Sequence, residues 1–288
     1  MHVSVVLPYD IWYMIAMLSA AAFAAVRSVN YDVYKYTQER IEFYKNIFSV
    51  EVTEEKDGKT EQYLKLPNGV KHGLYRMWYK GWELAFLLNY TDGKPEGICQ
   101  EWYISGKIFT ESCYVGGKRN GLYQAWYENG QLETQCTYVS GKIEGLHQSW
   151  HENGHLRVER TYVNGVIHGV YQHWDRNGRI ILRCDYAAGM KHGAHLKYRS
   201  NGGIYEQVTY VSGIMEGLYE QRHENGIIAV RCTYVAGERH GLYQEWHANG
   251  KIKVNFGYVE GKIHGPFQGW DEDGQLRAER TYVAGVVQ

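Results

Sequence analysis

The chain has 288 residues and a formal net charge of −1, and 44% of its residues are hydrophobic while 22% are charged. This composition is typical of a soluble globular chain that is long enough for two domains. Lysine and arginine are interleaved with aspartate and glutamate, and no DNA- or RNA-binding motif is present. No nucleic-acid partner is therefore expected.

Residues 1–48 differ from the rest of the chain because they are poor in glycine. An apolar run from Ile11 to Leu18, an alanine-rich stretch and a segment with helical spacing from Tyr31 to Phe48 predict two or three short helices. The uncharged stretch from Ile11 to Val26 has 16 residues, about 24 Å of helix, which is too short for a hydrocarbon core of about 30 Å. The residues before it include Asp10 but no lysine or arginine, so secretion is not expected and the cytoplasm is the expected location.

The start of the chain, Leu7-Pro8-Tyr9-Asp10-Ile11, is followed by apolar residues at Leu18, Phe23, Val26 and Val29. It resembles the F-box, in which an L-P-x-[DE]-[IL] start precedes two packed helices. The resemblance implies a Skp1-type adaptor of a ubiquitin ligase as partner through residues 7–48, with Leu7, Pro8 and Ile11 as candidate contact residues. The alternative is that these residues form a plain helical cap, which closes the open end of the β-ribbon predicted for the rest of the chain.

Residues 73–288 consist of nine units of 24 residues, each of which begins with a glycine. A tyrosine stands 17 residues after each of these glycines, and a second glycine stands 20 residues after it. The first glycines are Gly73, Gly97, Gly121, Gly145, Gly169, Gly193, Gly217, Gly241 and Gly265. A fixed period of this length is the signature of stacked units that bury one another's apolar surface.

Residues 49–72 are interpreted as a degenerate zeroth repeat. Asp57-Gly58 falls where the first turn of a unit stands and Gly69 where the second turn stands, but Glu54 replaces the tryptophan and Leu66 the tyrosine. Terminal units of stacked arrays are commonly atypical because they end the stack in water.

Asn-Gly pairs stand between runs of aromatic and β-branched residues, for example at Asn129, Asn153, Asn177, Asn225 and Asn249. Asn-Gly so flanked predicts a two-residue type I′ hairpin turn. With Asn129 and Gly130 as the loop, Trp126 faces Glu133 and Tyr123 faces Cys136, while the glycines of the second connection allow a tight return. The predicted fold is mainly β, an elongated ribbon or solenoid of stacked antiparallel β-hairpins with a short α-helical N-terminal segment.

The string Y-V-x-G-K-x-x-G-L-Y-x-x-W-x-x-N-G, as in Tyr138 to Gly154 with His147 at its second aromatic position, resembles the MORN repeat, particularly the longer variant of bacterial antitoxin-like proteins. The resemblance implies a β-hairpin ribbon used for protein contacts and self-association, together with a claim of lipid binding. Two departures stand out. Tyr198 and Arg222 interrupt the tryptophan column, so their units are expected to pack less well or to face something different, and the first turn is displaced to Lys80-Gly81-Trp82.

An F-box-like start joined to MORN repeats is similar to proteins of large DNA viruses of amoebae. That resemblance implies the host-cell cytoplasm, or the virion, as the location of the protein.

No catalytic, cofactor or metal site is expected. Cys136, Cys184 and Cys232 share a column in alternate units, roughly 19 Å apart, which is too far for disulfides, so they are predicted to pack as free thiols. Histidines that precede the repeat glycine alternate with glutamate and asparagine, which indicates a turn position, and a zinc ion at His147, His151 and His155 is the weak alternative. No nucleophile or nucleotide-binding motif is present, so an enzyme is not expected.

The predicted function is a non-enzymatic protein-protein interaction scaffold whose aromatic columns contact a partner, with Trp126 expected in the interior of the stack. Candidate protein-binding residues in the repeats are Tyr75, Tyr123, Tyr171, Tyr219, Tyr243, Trp126, Phe267 and Tyr282. The alternative is a lipid-surface module, which would need a basic stripe that the mixed charges do not supply. A homodimer through the C-terminal repeats, near Phe267 to Val287, is also expected because the last strand should have an unpaired edge.

Overall fold

The computed structural model describes residues 49–66 and 68–288, so the F-box-like segment and the predicted helices lie outside the described residues. The described chain contains 22 strands. They are β1 (Val50–Lys56), β2 (Lys59–Lys65), β3 (Lys71–Tyr79), β4 (Leu84–Thr91), β5 (Lys94–Trp102), β6 (Ile108–Val115), β7 (Lys118–Arg119), β8 (Gly121–Trp126), β9 (Leu132–Val139), β10 (Lys142–Trp150), β11 (Leu156–Val163), β12 (Val166–Trp174), β13 (Ile180–Ala187), β14 (Met190–Tyr198), β15 (Ile204–Val211), β16 (Ile214–Arg222), β17 (Ile228–Val235), β18 (Glu238–Trp246), β19 (Ile252–Val259), β20 (Lys262–Trp270), β21 (Leu276–Val283) and β22 (Val286–Val287).

The strands pair in sequence order, and every pairing is antiparallel. The chain divides into two compact parts, Met1–Glu96 and Gly97–Gln288. In the first part β1 pairs with β2, β2 with β3 and β3 with β4. In the second, each strand from β8 to β21 pairs with the next one along the chain, as β10 does with β11 and β11 with β12. The predicted fold of antiparallel hairpin repeats is confirmed, and no strand of the described chain is separated from its partner by a crossover.

The Asn-Gly turns have a different geometry from the predicted one. Tyr127 N donates to Gln131 O at 2.9 Å and Gly130 N to Tyr127 O at 2.8 Å, so the loop has three residues, with Gly130 at φ 90°. This is a type I turn followed by a glycine bulge, and the predicted type I′ turn is wrong here. The asparagine side chain stabilises the loop, because Asn129 Oδ1 accepts a hydrogen bond from Gln131 N at 2.9 Å.

The register next to this turn changes as a result. Tyr123 pairs with Cys136 as predicted, but Trp126 pairs with Leu132 and not with Glu133. Ala125 pairs with Thr134, so Glu133 is the extra residue of a β-bulge. The same shift occurs before the last residue of each corresponding strand in the later units.

The type I′ turns lie at the second connection of each unit. Val139 pairs with Lys142, and the two residues between them, Ser140 and Gly141, have φ values of 49° and 86°. Two positive φ values define this turn, which twists in the same sense as the flanking strands. In the zeroth repeat the two loop types stand in the opposite order, because Asp57 and Gly58 both have positive φ while Leu66 N bonds to Val70 O at 2.9 Å across a longer loop.

A second bulge lies at the first glycine of the unit. In the hairpin of β9 and β10, Glu144 pairs with Thr137 and Gln148 with Gln135, so three residues of β10 face one residue of β9. Gly145 begins this bulge with φ 76°, and a Cβ there would have no atom within 4 Å. Gly145 is therefore required for its left-handed backbone and not for lack of space.

The first turn is not displaced. Tyr79 N bonds to Glu83 O and Trp82 N to Tyr79 O, both at 2.9 Å, which is the same three-residue loop as at Asn129. Trp82 takes the position of the bulge glycine with φ 71°, although its side chain is 75% exposed and packs little.

Trp82→Gly should therefore raise the free energy of unfolding by about 1 kcal/mol, because a side chain in the left-handed region is strained. Chemical denaturation of the purified protein measures this change. Lys80→Gly, in the same loop at a position without positive φ, is the control and should not stabilise. A loss of stability in Trp82→Gly would contradict the assigned strain.

The core of each unit is a row of directly opposed side chains, one on each strand of the hairpin. In the hairpin of β8 and β9, Tyr123 faces Cys136. Tyr123 also packs edge to face on Tyr138 with ring centroids 6.0 Å apart. Equivalent ring pairs recur at Tyr75–Tyr90, His147–Tyr162, Tyr171–Tyr186, His195–Tyr210, Tyr219–Tyr234, Tyr243–Tyr258 and Phe267–Tyr282. We call this side of the hairpins the aromatic face.

The cysteines complete the aromatic face. Cys136, Cys184 and Cys232 are free, buried and opposite Tyr123, Tyr171 and Tyr219. The prediction that they pack as small apolar side chains is confirmed. Burial raises the pKa of the Cys99 thiol, which takes the place of the tyrosine in its own unit, to about 11.

Candidate interaction surface

Within residues 97–288, side chains at the Asn-Gly edge link several repeats to the next one. Tyr103 Oη donates to the carbonyl of Trp126 at 2.8 Å, and Asn129 Nδ2 donates to the carbonyl of Glu152 at 2.9 Å. Equivalent bonds are made by Tyr127, His151, Asn153, His223, Asn225, His247 and Asn249. Because each bond joins residues 23 positions apart, neighbouring hairpins are held in one register and present equivalent side chains at a constant spacing.

The opposite edge has a similar system, which explains the histidine column. Asn120 Oδ1 accepts from Ser140 N at 3.2 Å and Glu144 Oε2 accepts from Asn164 N at 2.7 Å. Histidine Nδ1 atoms take the same role at His72, His168, His192 and His264, 3.4 to 3.5 Å from the turn N–H. The column selects hydrogen-bond acceptors for the type I′ turn, which agrees with the predicted turn position.

The three histidines weighed as a zinc site are held by other contacts. His147 is buried on the aromatic face, whereas His151 Nε2 lies 3.0 Å from Trp174 O and His155 Nδ1 lies 2.9 Å from Arg176 O. In the part of the chain that the structure describes, no three His, Cys, Asp or Glu side chains converge on a possible metal position.

The predicted tyrosine contacts lie on the aromatic face. Tyr75 and Tyr243 are only 7% and 8% exposed, and Tyr123, Tyr171 and Tyr219 are half-buried. Burial raises the pKa of Tyr219 to about 12, so its hydroxyl is neutral at physiological pH. These side chains pack within their own hairpins, and a role in binding a partner stays a prediction for them.

Of the other predicted contacts, Phe267 and Tyr282 pack against each other with centroids 6.0 Å apart and are half-buried. Leu7, Pro8 and Ile11 lie outside the described residues.

Trp126 is half-buried and belongs to the opposite side of the hairpin from Tyr123, so its predicted place in the interior is wrong. Tryptophans of this column border the Asn-Gly turns, where their carbonyls accept the bonds that link the units. The period-2 alternation along β8 already places Trp126 with Leu122 and Gln124, on the face opposite Tyr123.

Arg222 forms an ion pair at the position where it interrupts the tryptophan column. Its Nη2 lies 3.0 Å from Oε2 of Glu220, a carboxylate that is 5% exposed. Arg231 bonds to the other oxygen of Glu220 at 2.6 Å and Gln207 Nε2 lies 3.1 Å from Oε2. The Arg231 guanidinium also lies over the Trp246 ring at 5.8 Å. An ion network around a buried carboxylate thus stands where other units have the tryptophan, and the expected weaker packing at Arg222 stays a prediction.

The side of the hairpins opposite the aromatic face carries a row of exposed aliphatic residues, and we call it the aliphatic face. It contains Leu122, Leu146, Val170, Leu218 and Leu242, which are 40% to 52% exposed and stand one residue after the repeat glycine. Leu122 and Leu146 face Thr137 and Thr161 on the partner strands. Sequence reasoning did not single out this row. The signal was present, because a leucine next to a buried tyrosine in a strand must point to the other face.

Between the aliphatic residues, the same face carries a row of amides and carboxylates that bond across the hairpins. Gln124 Nε2 donates to Gln135 at 3.1 Å, and Gln148 Nε2 donates to Glu159 at 2.8 Å. These bonds hold the polar side chains flat against the sheet and leave the neighbouring leucines as the prominent exposed groups. The aliphatic face is a repeating surface of one apolar and one polar row.

Part of the repeat array is similar to a known family. Five segments, residues 119–140, 143–164, 215–236, 239–258 and 263–284, match the family model described as a MORN repeat variant. These units are similar to MORN repeats. No curated protein matches the chain. No comparison bears on the F-box-like start or on the resemblance to viral proteins of amoebae, and both stay predictions.

Two solved structures are similar at low identity. A mutant of S. aureus TarM in complex with fondaparinux, alpha-GlcNAc-glycerol and UDP matches at 12% identity over 56% of this chain and 27% of that one, with a TM-score of 0.23. The Photorhabdus luminescens Tc holotoxin pore matches at 9% identity over 80% of this chain and 16% of that one, with a TM-score of 0.16. The chain spans less than a third of either structure, and neither likeness carries an argument about its function.

Proposed function

We propose that the protein is a non-enzymatic scaffold that binds a protein partner through the aliphatic face of its MORN-type repeats. The observation that supports this most is the row of exposed aliphatic side chains at Leu122, Leu146, Val170, Leu218 and Leu242. Large apolar side chains that recur in line across a surface mark an interaction site, whereas scattered ones do not. The partner contributes an apolar strip that runs across several hairpins.

The charges of the same face favour a protein over a lipid surface. Anionic lipid attracts a basic stripe. The polar row of the aliphatic face instead mixes signs, with Glu159 and Glu220 beside Arg183 and Arg231. Among the described residues, no helix is both long enough and apolar enough to cross a membrane. A peripheral lipid contact is the alternative proposal.

The double variant Leu146→Lys with Leu218→Lys tests the proposal. Both leucines are close to half-exposed, so the fold should persist, while a charged side chain buried in an interface is strongly unfavourable. Cross-linking of the full-length protein in cells that express it, followed by mass spectrometry, should give at least about tenfold less of any partner than the unmodified protein gives.

The matched control is the double variant Gln131→Lys with Gln275→Lys, which adds the same two charges at exposed turn residues outside the aliphatic face. It should retain the partner. Equal capture by all three proteins would contradict the proposal, and binding to anionic vesicles that the double variant abolishes would favour the lipid alternative.

Two further contacts belong to the proposal. A Skp1-type adaptor binds through residues 7–48, and repetition of the capture with residues 1–48 deleted should remove the adaptor and retain the partner of the aliphatic face.

The protein also associates with itself through the C-terminal repeats, near Phe267 and Tyr282. Light scattering of the full-length protein at tens of micromolar should then give the mass of a dimer.

A further inference from the structure

Arg160 interrupts a column of the aromatic face that is small or apolar in seven of the nine units, the other exception being Arg280 in the last unit. It stands 15 residues after its repeat glycine, where other units have buried Leu88, Ser112, Cys136, Cys184, Val208, Cys232 or Phe256. Arg160 faces His147, as Cys136 faces Tyr123. An arginine in a column of small and apolar side chains is a local conflict with the fold, and such conflicts are common at functional sites.

One polar atom on each member of this pair lacks a hydrogen-bond partner in the described chain. Arg160 Nε and His147 Nδ1 are both fully buried and accept or donate no hydrogen bond in the described chain. His147 is only 9% exposed. The Arg160 guanidinium lies over the Tyr162 ring at 5.3 Å, which supports the flat side chain and leaves its N–H groups available. A buried donor without a partner costs folding free energy, so a ligand that accepts from it is favoured.

Further donors surround the same position on neighbouring strands. Ser149 follows His147 on β10 and is 3% exposed, and Arg157 Nε lies 3.4 Å from its Oγ. His173 on β12 pairs with Val158, which itself pairs with Ser149. Together with Thr134, these side chains line a cleft of about 540 Å³.

The cleft is positive and its charge is not compensated. No Asp or Glu lines it, and no ion pair joins Arg157 or Arg160 to a carboxylate among the described residues. Burial lowers the pKa of His147, and the nearby Arg160 and Arg157 lower it further. Burial, His151 and Arg157 act in the same direction on the pKa of His173. Two guanidinium groups and two imidazoles thus share an environment that favours an anion.

We propose that this cleft, between His147, Ser149, Arg157, Arg160 and His173, binds a phosphate monoester group. The donors come from three adjacent strands, about 4.8 Å apart, and therefore approach a ligand from several directions. A tetrahedral phosphate has three acceptor oxygens for such a set, and arginine binds it through two parallel N–H groups. A planar carboxylate would leave some of these donors unused. This site lies on the aromatic face and goes beyond the scaffold function of the aliphatic face.

Calorimetric titration of the full-length protein with inorganic phosphate, glycerol phosphate and a phosphoserine peptide tests the proposal. All three ligands carry a phosphate group. The ligand that binds most tightly indicates which kind of phosphate compound the cleft recognises. Arg160→Gln should weaken binding at least about tenfold, which corresponds to the loss of one charge-assisted hydrogen bond. Arg280→Gln is the matched control, because Arg280 occupies the same column in the last unit, where it is exposed and faces Phe267. It should bind as the unmodified protein does.

A second readout separates binding from folding. Phosphate should raise the melting temperature of the unmodified protein and of Arg280→Gln, but not that of Arg160→Gln, whatever the starting temperature of each. Weakening by the same factor in both arginine variants would overturn the proposal, because net charge alone would then explain it. Absence of any phosphate binding by the unmodified protein, or equally tight binding of succinate, would overturn it as well.

Discussion

Phe256→Ala should lower the free energy of unfolding by about 3–4 kcal/mol, which is typical of removing a large aromatic side chain from a packed core. Phe256 is 7% exposed. Its ring centroid lies 4.8 Å from that of Tyr243, 5.2 Å from that of Tyr258 and 5.4 Å from that of Phe267. The substitution therefore empties a site that joins two neighbouring hairpins, β18–β19 and β20–β21, and cannot be refilled by one local movement.

Leu242→Ala is the control for this prediction. Leu242 precedes Tyr243 in the same strand but lies on the aliphatic face and is 52% exposed, so its loss should cost no more than about 0.5 kcal/mol. Urea denaturation followed by fluorescence measures both changes. Equal losses at the two positions would mean that the aromatic face is not the core.

Gly145→Val should destabilise the protein by about 2 kcal/mol, because a β-branched side chain is strongly disfavoured at φ 76°. A Cβ at this position would have no atom within 4 Å, so a steric clash with neighbours does not contribute. The loss would come from the backbone of the bulge that turns β10 against β9.

Gly145→Asn separates backbone strain from the addition of a side chain. Asparagine adopts the left-handed region more readily, so this variant should lose under about 1 kcal/mol. Thermal unfolding of the two variants beside the unmodified protein gives the comparison. A similar loss in both would indicate that the column glycine is required for a reason other than its φ value.

The fold itself was predictable from the sequence, since period and local chemistry agree. The 24-residue spacing defines the units, and alternation along the strand places Tyr123 opposite Cys136 in both the prediction and the structure. These are local properties of strands and turns, and they repeat nine times without an insertion. A wrong assignment in one unit can therefore be recognised by comparison with the other units.

Local sequence rules did not predict the type of each turn. Asn-Gly is a strong type I′ signal, yet Asn129 bonds to the chain of the next unit through its side chain, and the type I′ turn forms at Ser140-Gly141. The same three-residue loop forms at Lys80-Gly81-Trp82 and at Ile104-Ser105-Gly106, which contain no asparagine, so the Asn-Gly pair does not decide the loop type. The bulge next to this loop then moves Trp126 opposite Leu132.

The sequence by itself determined the units, their strands and the residue types of each column, because these depend on spacing along the chain. Which face is buried depended on the tertiary structure, since both faces are amphipathic and only the bulges at positions such as Gly145 set how the hairpins curve. Tyr243 thereby became a core residue and Leu242 an exposed one. The same holds for Arg160, which is unusual in its column by sequence but becomes a candidate ligand-binding residue only because no described carboxylate reaches it.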